Sequence, residues 1–331
     1  MKLKVGATVK VRGAETEYSS RWEIVQPLRS TGHRNSYYAR NLRTDLHDQR
    51  VKLTVCGYEN RLLGNKGYVD NVRRRLLHEA KMLTLPLNLL PEPVDLFTCE
   101  NKQDRFAFPG GKRYSANEPV LVTEVYSGKP LDVLVGKDGA LDEARALRIA
   151  LKLCDLLEDL HRHGVLAYEL RPEEILVDPD DHDRIWVLGC ANYQRVGRGG
   201  VVRPAELVVP LSDFGFAAPE VEAGREALGP RTDIYALGAM LLFMLTGQRA
   251  RDLRTGGRMR PARRGGHSAR TRKILTRFLA GAPRDRFADT KRARVALRRA
   301  LGAGEGARSE EELRVGLVRR FGRWLLGAAS R

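Results

Sequence analysis

Cysteine is scarce: the 331 residues hold four, Cys56, Cys99, Cys154 and Cys190, and none stands in a CxxC pair. That excludes a disulfide-stapled scaffold and a paired-thiolate zinc site, and reduced thiols are the simplest expectation. Long hydrophobic runs are missing too. The longest apolar stretch, YALGAMLLFML (235–245), is too short to span a bilayer and reads as a buried helix. The opening MKLKVGATVKV alternates and has no apolar centre of the signal-peptide kind. A cytoplasmic location is therefore expected, with peripheral attachment to a membrane as the alternative. No internal repeat or low-complexity tract is evident. What is present suits a packed core: 42% hydrophobic and 30% charged residues, enough for one large domain or two of ordinary size.

Acidic charge is missing from one end only. Residues 1–247 carry 34 basic and 34 acidic side chains, whereas residues 248–331 carry 24 basic and 7 acidic. The formal net charge of +17 thus belongs to the last quarter. A mixed-sign body with a basic end suits docking of an acidic protein, nucleic acid or an anionic membrane at 249–331. Arg-rich solvated helix surface is the bland alternative.

The first third is strand-rich. KLKVGATVKV alternates, and RWEIVQPL, NSYYARNL and QRVKLTVC follow between polar loops. A helix is expected near 70–84, where Val72, Leu76, Leu77, Ala80 and Leu83 keep helical spacing. Strands are expected near VDLFTCE and EPVLVTEVY, with a hairpin excursion between them. After SGKP the pattern turns helical. DEARALRIALKLCDLLEDLHRHG is a long amphipathic helix, and the short strands ILVD and RIWVLG flank the turn DPDDHD. Helices follow over TDIYALGAMLLFMLTG, SARTRKILTRFLAG and ADTKRARVALRRAL. A β front and an α back give an α+β, two-lobed architecture.

This order resembles the protein-kinase fold, and specific residues carry the likeness. DLHRHG (159–164) matches the end of the helix before the catalytic loop. RPEEIL (171–176) looks like the loop tail usually written KPENIL. APE stands at Ala218-Pro219-Glu220, TDIYALGAMLLFMLTG looks like the central helix with Asp233 near its start, and PRDRF (283–287) looks like a late-domain motif. The resemblance makes Arg286 the partner of Glu220, and Arg171 at the lysine position points to the Ser/Thr lineage. It implies a bilobal fold: an N-terminal extension over 1–20 containing a strand, a β-rich N-lobe with one main helix over 21–126, and a mostly helical C-lobe over 127–301. Residues 302–331 follow as a basic amphipathic helix.

Phosphoryl transfer needs phosphates cradled, metal held, charge neutralised and a hydroxyl oriented. The positions that do this depart from the family's pattern. Between the first two lobe strands, the three glycine positions hold Arg29, Thr31 and Arg34, and only Gly32 remains, out of phase. Side chains there obstruct the backbone approach to phosphate; the arginines either contact phosphate or, on the simpler expectation, stay solvated. The strand lysine is replaced by Thr54 in VKLT. Lys52, two residues earlier on the same strand face, either substitutes or is an edge-facing surface lysine, the simpler expectation. The helix glutamate is kept as Glu79, left to bond backbone or Lys52. The catalytic loop reads AYELRPEE, so Glu169 takes the base position, one methylene longer than aspartate, and Glu174 replaces the metal-binding asparagine. The metal loop must follow RIWV, which aligns DFG with Val187-Leu188-Gly189, and valine cannot ligate a hard cation. The resemblance adds Glu124, at the end of EPVLVTE, to the degenerate nucleotide positions.

The literal DFG at Asp213-Phe214-Gly215 stands two residues before APE, too late for a metal loop. In register it is a coincidence, and Asp213 adds a carboxylate near Glu169. Fold-supporting residues are retained at Pro172, Pro219, Glu220, Asp233 and Arg286, while the glycine-loop, lysine, base, asparagine and metal-aspartate positions are altered. The expectation is a pseudokinase with no catalytic residue and no bound metal. It would act as a scaffold or allosteric regulator of a protein partner, such as an active kinase or its substrate. The alternatives are metal-free binding of ATP or another nucleotide, a rearranged nucleotide-dependent transferase using Glu169, Glu174 and either Lys52 or an arginine of the Gly-loop region, and an anionic-surface binder.

In the basic end, RARDLRTGGRMRPARRGGHSARTRK (249–273) has almost no aromatics and offers at most unspecific phosphate attraction. SEEELRVGLVRRFGRWLLGAA (309–329) opens with a capping box, Ser309 and Glu312, and aligns Leu313, Leu317, Phe321, Trp324 and Leu325 in one stripe beside Arg314, Arg319, Arg320 and Arg323. Such a helix docks back on the C-lobe, binds a partner groove or lies on an anionic membrane.

Overall fold

The computed structural model describes residues 8–10, 21–28, 34–42, 50–59, 62, 65–87, 89–100, 106–107, 113–114, 117–178, 180, 183–197, 200–202, 215–224, 227–250, 254–255, 258–259 and 267–302. The expected helix over 309–329, together with Gly32 and Asp213, lies outside the described residues.

The N-terminal lobe is built on an antiparallel sheet of six strands: β1 (Thr8–Lys10), β2 (Arg21–Pro27), β3 (Arg34–Asn41), β4 (Arg50–Cys56), β5 (Pro93–Glu100) and β8 (Asn117–Glu124), in the order β1-β2-β3-β4-β8-β5. Between the last two, β6 (Phe106–Ala107) and β7 (Arg113–Tyr114) pair as the anticipated hairpin. Alternation sorts the side chains of β4 and β8 onto two faces. Val51, Leu53, Val55, Val120 and Val122 join Trp22, Ile24, Tyr37, Ala39 and Phe97 in one buried cluster. Cys56 and Leu121 face the other way, into the main core. The helix α1 (Lys66–Leu83) packs on that second face. It starts four residues before the expected point, because the Asn65 side chain accepts a hydrogen bond from the Tyr68 amide and caps it.

A hinge leads into β9 (Lys129–Pro130) and α2 (Leu131–Asp138). The helix α3 (Glu143–Arg162) is capped by Asp142 and buries a stripe from Ala146 to Leu160. After it come β10 (Val165–Leu166), a 3₁₀ turn at Pro172–Glu174, β11 (Ile175–Asp178), β12 (Arg184–Val187) and β13 (Gln194–Arg195). β11 pairs with both β12 and β9, and β10 pairs with β13. The helix α4 (Pro219–Ala223) precedes α5 (Pro230–Thr246), whose residues from Thr232 to Leu245 are all buried. An all-apolar helix of this kind belongs at the centre of a lobe. A short hairpin, β14 (Arg254–Thr255) and β15 (Arg258–Met259), leads to α6 (Ala269–Phe278), a 3₁₀ turn at Pro283–Asp285, and α7 (Thr290–Leu301), which packs along α3.

Among the described residues, no helix is long and apolar enough to cross a membrane. Cys56, Cys154 and Cys190 are buried thiols that form no disulfide.

Candidate functional site

The cleft between the lobes collects the residues that the sequence singled out. Arg34 enters it from the first residue of β3, Lys52 and Thr54 from β4, Glu79 from α1, Glu174 from the end of a 3₁₀ turn, and Leu188-Gly189 from the chain leaving β12. Arg34 is the pivot. One nitrogen of its guanidinium donates to Glu79 Oε1 at 2.5 Å, and the other donates to Glu174 Oε1 in a charged pair. The expected solvated arginine is thus a buried one, with 14% of its side chain exposed. The expectation that Glu79 would turn to backbone or Lys52 is likewise corrected, because a guanidinium fork reaches two carboxylates at once. Burial acts against the charge of Arg34, but Glu79 and Glu174 outweigh it and raise its pKa above the ordinary arginine value.

Lys52 also points inward rather than to an edge. Its ammonium donates to the Leu188 carbonyl at 3.2 Å. Burial lowers its pKa, partly offset by Glu79 and reinforced by Arg34. Thr54, at the position the resemblance gives to lysine, is buried and exchanges a hydroxyl contact of 3.3 Å with Ser36. Two cations and two carboxylates leave this cluster neutral as it stands. Packing around it is tight. A Cβ on Gly189 would fall 2.7 Å from Glu174 Cδ and 2.9 Å from Arg34 Nη2. Cys190 donates to the Glu79 carbonyl at 3.6 Å, and burial pushes its thiol well up. Val187 is buried, and its amide bonds the Leu89 carbonyl at 2.8 Å.

The hinge side of the cleft is filled by rings. Tyr126, two residues past β8, stacks on Trp186 of β12 with centroids 3.8 Å apart, and the Arg184 guanidinium lies 4.5 Å from the same indole. The Tyr126 hydroxyl donates to Glu124 at 2.8 Å, so Glu124 is engaged by the hinge itself. Ser127 donates to Asp178 at 2.7 Å, and β9 pairs with β11. Gly128 sits at φ 136, where a Cβ would lie 2.8 Å from the Val177 carbonyl oxygen; only glycine lets the hinge approach this closely.

The catalytic-loop segment is clamped from below. Asp233, fully buried on α5, accepts from the amides of Ala167 at 3.0 Å and Tyr168 at 2.5 Å and contacts His161 Nε2 at 2.8 Å. Tyr168 takes φ 41, a conformation that persists only when its surroundings enforce it. Glu169 is buried and paired with Arg171 at 3.2 Å, so the base position is tied to its own loop. Pro172 opens the 3₁₀ turn that carries Glu174. Farther down, Arg286 donates to both oxygens of Glu220, at 2.6 and 2.7 Å, and to the carbonyls of Ala280, Gly281 and Arg231. Pro219 supplies the first residue of α4. Among the described residues no group of three His, Cys, Asp or Glu side chains could hold a metal ion. Asp183, in the turn before β12, is engaged by Arg145 at 2.7 Å, and its carbonyl accepts from Lys152 at 2.7 Å.

Superposition on solved structures matches nearly the whole chain. The Mycobacterium tuberculosis PknI kinase domain aligns with a TM-score of 0.60 over 90% of this chain and 100% of that one, at 17% identity. The chain has the protein-kinase fold. The family model described as "Protein kinase domain" matches residues 111–265 of this kinase-fold chain. Serine/threonine-protein kinase F of Synechocystis sp. is 26% identical over 200 residues, 57% of this chain and 36% of that protein. Sperm motility kinase 3A of Mus musculus is 30% identical over 220 residues, 61% of this chain and 39% of that protein. The matched stretch therefore spans little more than a third of these curated relatives.

Two features of the cleft escaped the sequence reading. Arg34 was visible as a substituted glycine position, but its destination depends on a contact 140 residues away. The Tyr126–Trp186 stack had a weaker signal: an aromatic directly before the aligned metal loop and another just past the hinge strand.

Proposed function

We propose that this kinase-fold chain is a pseudokinase, acting as a scaffold or allosteric regulator through protein contacts rather than by phosphoryl transfer. The observation that carries the reading is the Arg34 fork on Glu79 and Glu174. A nucleotide–magnesium complex needs an oxygen set free to meet its metal, and the cation on its phosphates can itself pair with the helix glutamate. Here the same guanidinium that meets Glu79 also ties up Glu174, and Val187 supplies no side-chain oxygen. A phosphate or metal entering here would have to re-pair every group it displaces, because a buried charge left without its partner costs about 3–5 kcal/mol. The Tyr126–Trp186 stack adds a second obstacle, because it occupies the hinge side of the cleft where a flat base would need to lie. Metal-free nucleotide binding is disfavoured on the same two grounds. A rearranged transferase would use Glu169, Glu174 and either Lys52 or a Gly-loop arginine; against it, Glu174 and Arg34 are paired with each other, Lys52 is held by the Leu188 carbonyl and Glu169 by Arg171.

The test is thermal unfolding of the purified chain with millimolar ATP, with and without Mg²⁺. Unchanged melting in both is expected. A metal-dependent rise of several degrees would refute the pseudokinase reading.

A further inference from the structure

A groove on the far side of the helical lobe has the chemistry of a docking site. It has a volume of about 390 Å³ and lies between α6, the segment after the second 3₁₀ turn, and the outer face of α7. Phe287, Val295 and Ala296 form its apolar floor, and Arg277, Lys291, Arg292 and Arg299 form its rim. Val295 is 48% exposed, so the floor opens to solvent. α7 has a buried face as well: Ala293 and Leu297 are inside, and Arg294 pairs with Asp155 of α3 at 3.2 Å. Its outer face is therefore open by construction, not through poor packing. Among the described residues, Asp289 lies 3.9 Å from the Arg292 guanidinium and accepts from the Arg292 amide at 2.8 Å, as the cap of α7.

We propose that this groove binds an acidic peptide segment of a partner protein, with one apolar side chain seated on Val295 and Ala296 and carboxylates meeting the four rim cations. Charge complementarity selects the occupant. The chain's own tail, which follows Leu301, is the competing occupant: it carries Glu310, Glu311 and Glu312 before Leu313, but its apolar stripe is bordered by Arg314, Arg319, Arg320 and Arg323, the same sign as the rim, and the tail variant in the test below separates the two. A nucleic acid would want exposed rings to stack on, and the one ring here, Phe287, is already covered by Arg277 at 4.6 Å. A membrane wants a protruding apolar face, whereas this one is recessed behind cations. The proposal concerns a surface remote from the cleft and stands whether or not the cleft takes nucleotide.

The test uses the full chain and a fluorescein-labelled peptide of Asp and Glu residues around one central phenylalanine, read by anisotropy. Saturable binding that weakens with added salt is expected. A Lys291→Glu/Arg299→Glu variant should lose at least about ten-fold in affinity, and Val295→Asp a similar factor, with thermal unfolding unchanged in both. A peptide with serine in place of the phenylalanine should bind at least about ten-fold more weakly. Equal binding of the serine peptide, or affinity untouched by the variants, would overturn the proposal. So would anionic vesicles or RNA losing binding through these variants while the peptide does not. A rise in peptide affinity on Phe321→Ala/Trp324→Ala would also overturn it, by assigning the groove to the chain's own tail.

Discussion

Arg286 and Arg34 are both buried guanidiniums held by glutamates, one in the helical lobe and one in the cleft. Arg286 meets Glu220, the partner the family resemblance assigns, bidentately and adds three backbone carbonyls, so all the guanidinium donors are used. Arg34 meets Glu79 and Glu174 from a position where the resemblance expects glycine, and one of its partners stands where it expects asparagine. The first pair joins α4 to the chain before α7 within one lobe. The second joins β3, α1 and the catalytic-loop turn across the two lobes. The fold's internal brace is thus kept, and the cleft has gained a brace of its own. A cleft closed by an internal salt bridge holds α1 and the lobes in one arrangement without a ligand. That suits a protein recognised by its shape.

The contrast can be broken at either end. The largest effect is expected from Arg286→Ala, which leaves Glu220 buried and uncompensated; chemical denaturation should show a loss of about 3–5 kcal/mol. Arg34→Met should cost less, about 2–3 kcal/mol, because water reaches the cleft more readily than the lobe interior. Adding Glu174→Gln to Arg34→Met should recover most of that loss, since Glu79 and Lys52 then balance each other. A double variant as unstable as the single one would show that Arg34 acts by packing.

Opening the cleft sharpens the comparison further. Arg34→Gly combined with Trp186→Ala removes the guanidinium and the indole. Millimolar ATP should then raise the melting temperature of the double variant by about 2–4 °C, with no such rise in the unaltered chain. An equal response in both would mean that neither side chain obstructs nucleotide.

The smallest effect is expected away from both centres. Glu143 accepts from the Ser268 amide and hydroxyl at 2.8 and 2.6 Å and from Thr271 Oγ1. Burial works to raise its pKa, but these bonds prevail and lower it. A carboxylate with a lowered folded pKa stabilises the fold above the unfolded value, about 4.3, and loses that contribution as pH falls through the folded one. Glu143→Gln should therefore cost about 1 kcal/mol or less at neutral pH. It should also flatten the stability profile slightly below about pH 4.3.

Much of the fold was legible because it rests on local patterns. The period of α3, its Asp142 cap, the apolar run of α5 and the turn between β11 and β12 are all written in consecutive residues. The Glu220–Arg286 pair was legible through the family's spacing. The cleft was legible only as a set of departures. Thr54, Glu174 and Val187 could be recognised as losses, yet nothing near Arg34 in sequence announces that it turns inward. A replaced glycine can be solvated or buried, and the choice is made by carboxylates 45 and 140 residues away. The Tyr126–Trp186 stack is hidden for the same reason, since the hinge and β12 meet only in three dimensions.

The most direct measurement is titration calorimetry of ATP with Mg²⁺ into the unaltered chain, alongside Arg34→Gly/Trp186→Ala. The account predicts no measurable heat of binding for the unaltered chain at millimolar nucleotide and weak binding for the variant. Magnesium-dependent binding of the unaltered chain in the micromolar range would contradict it.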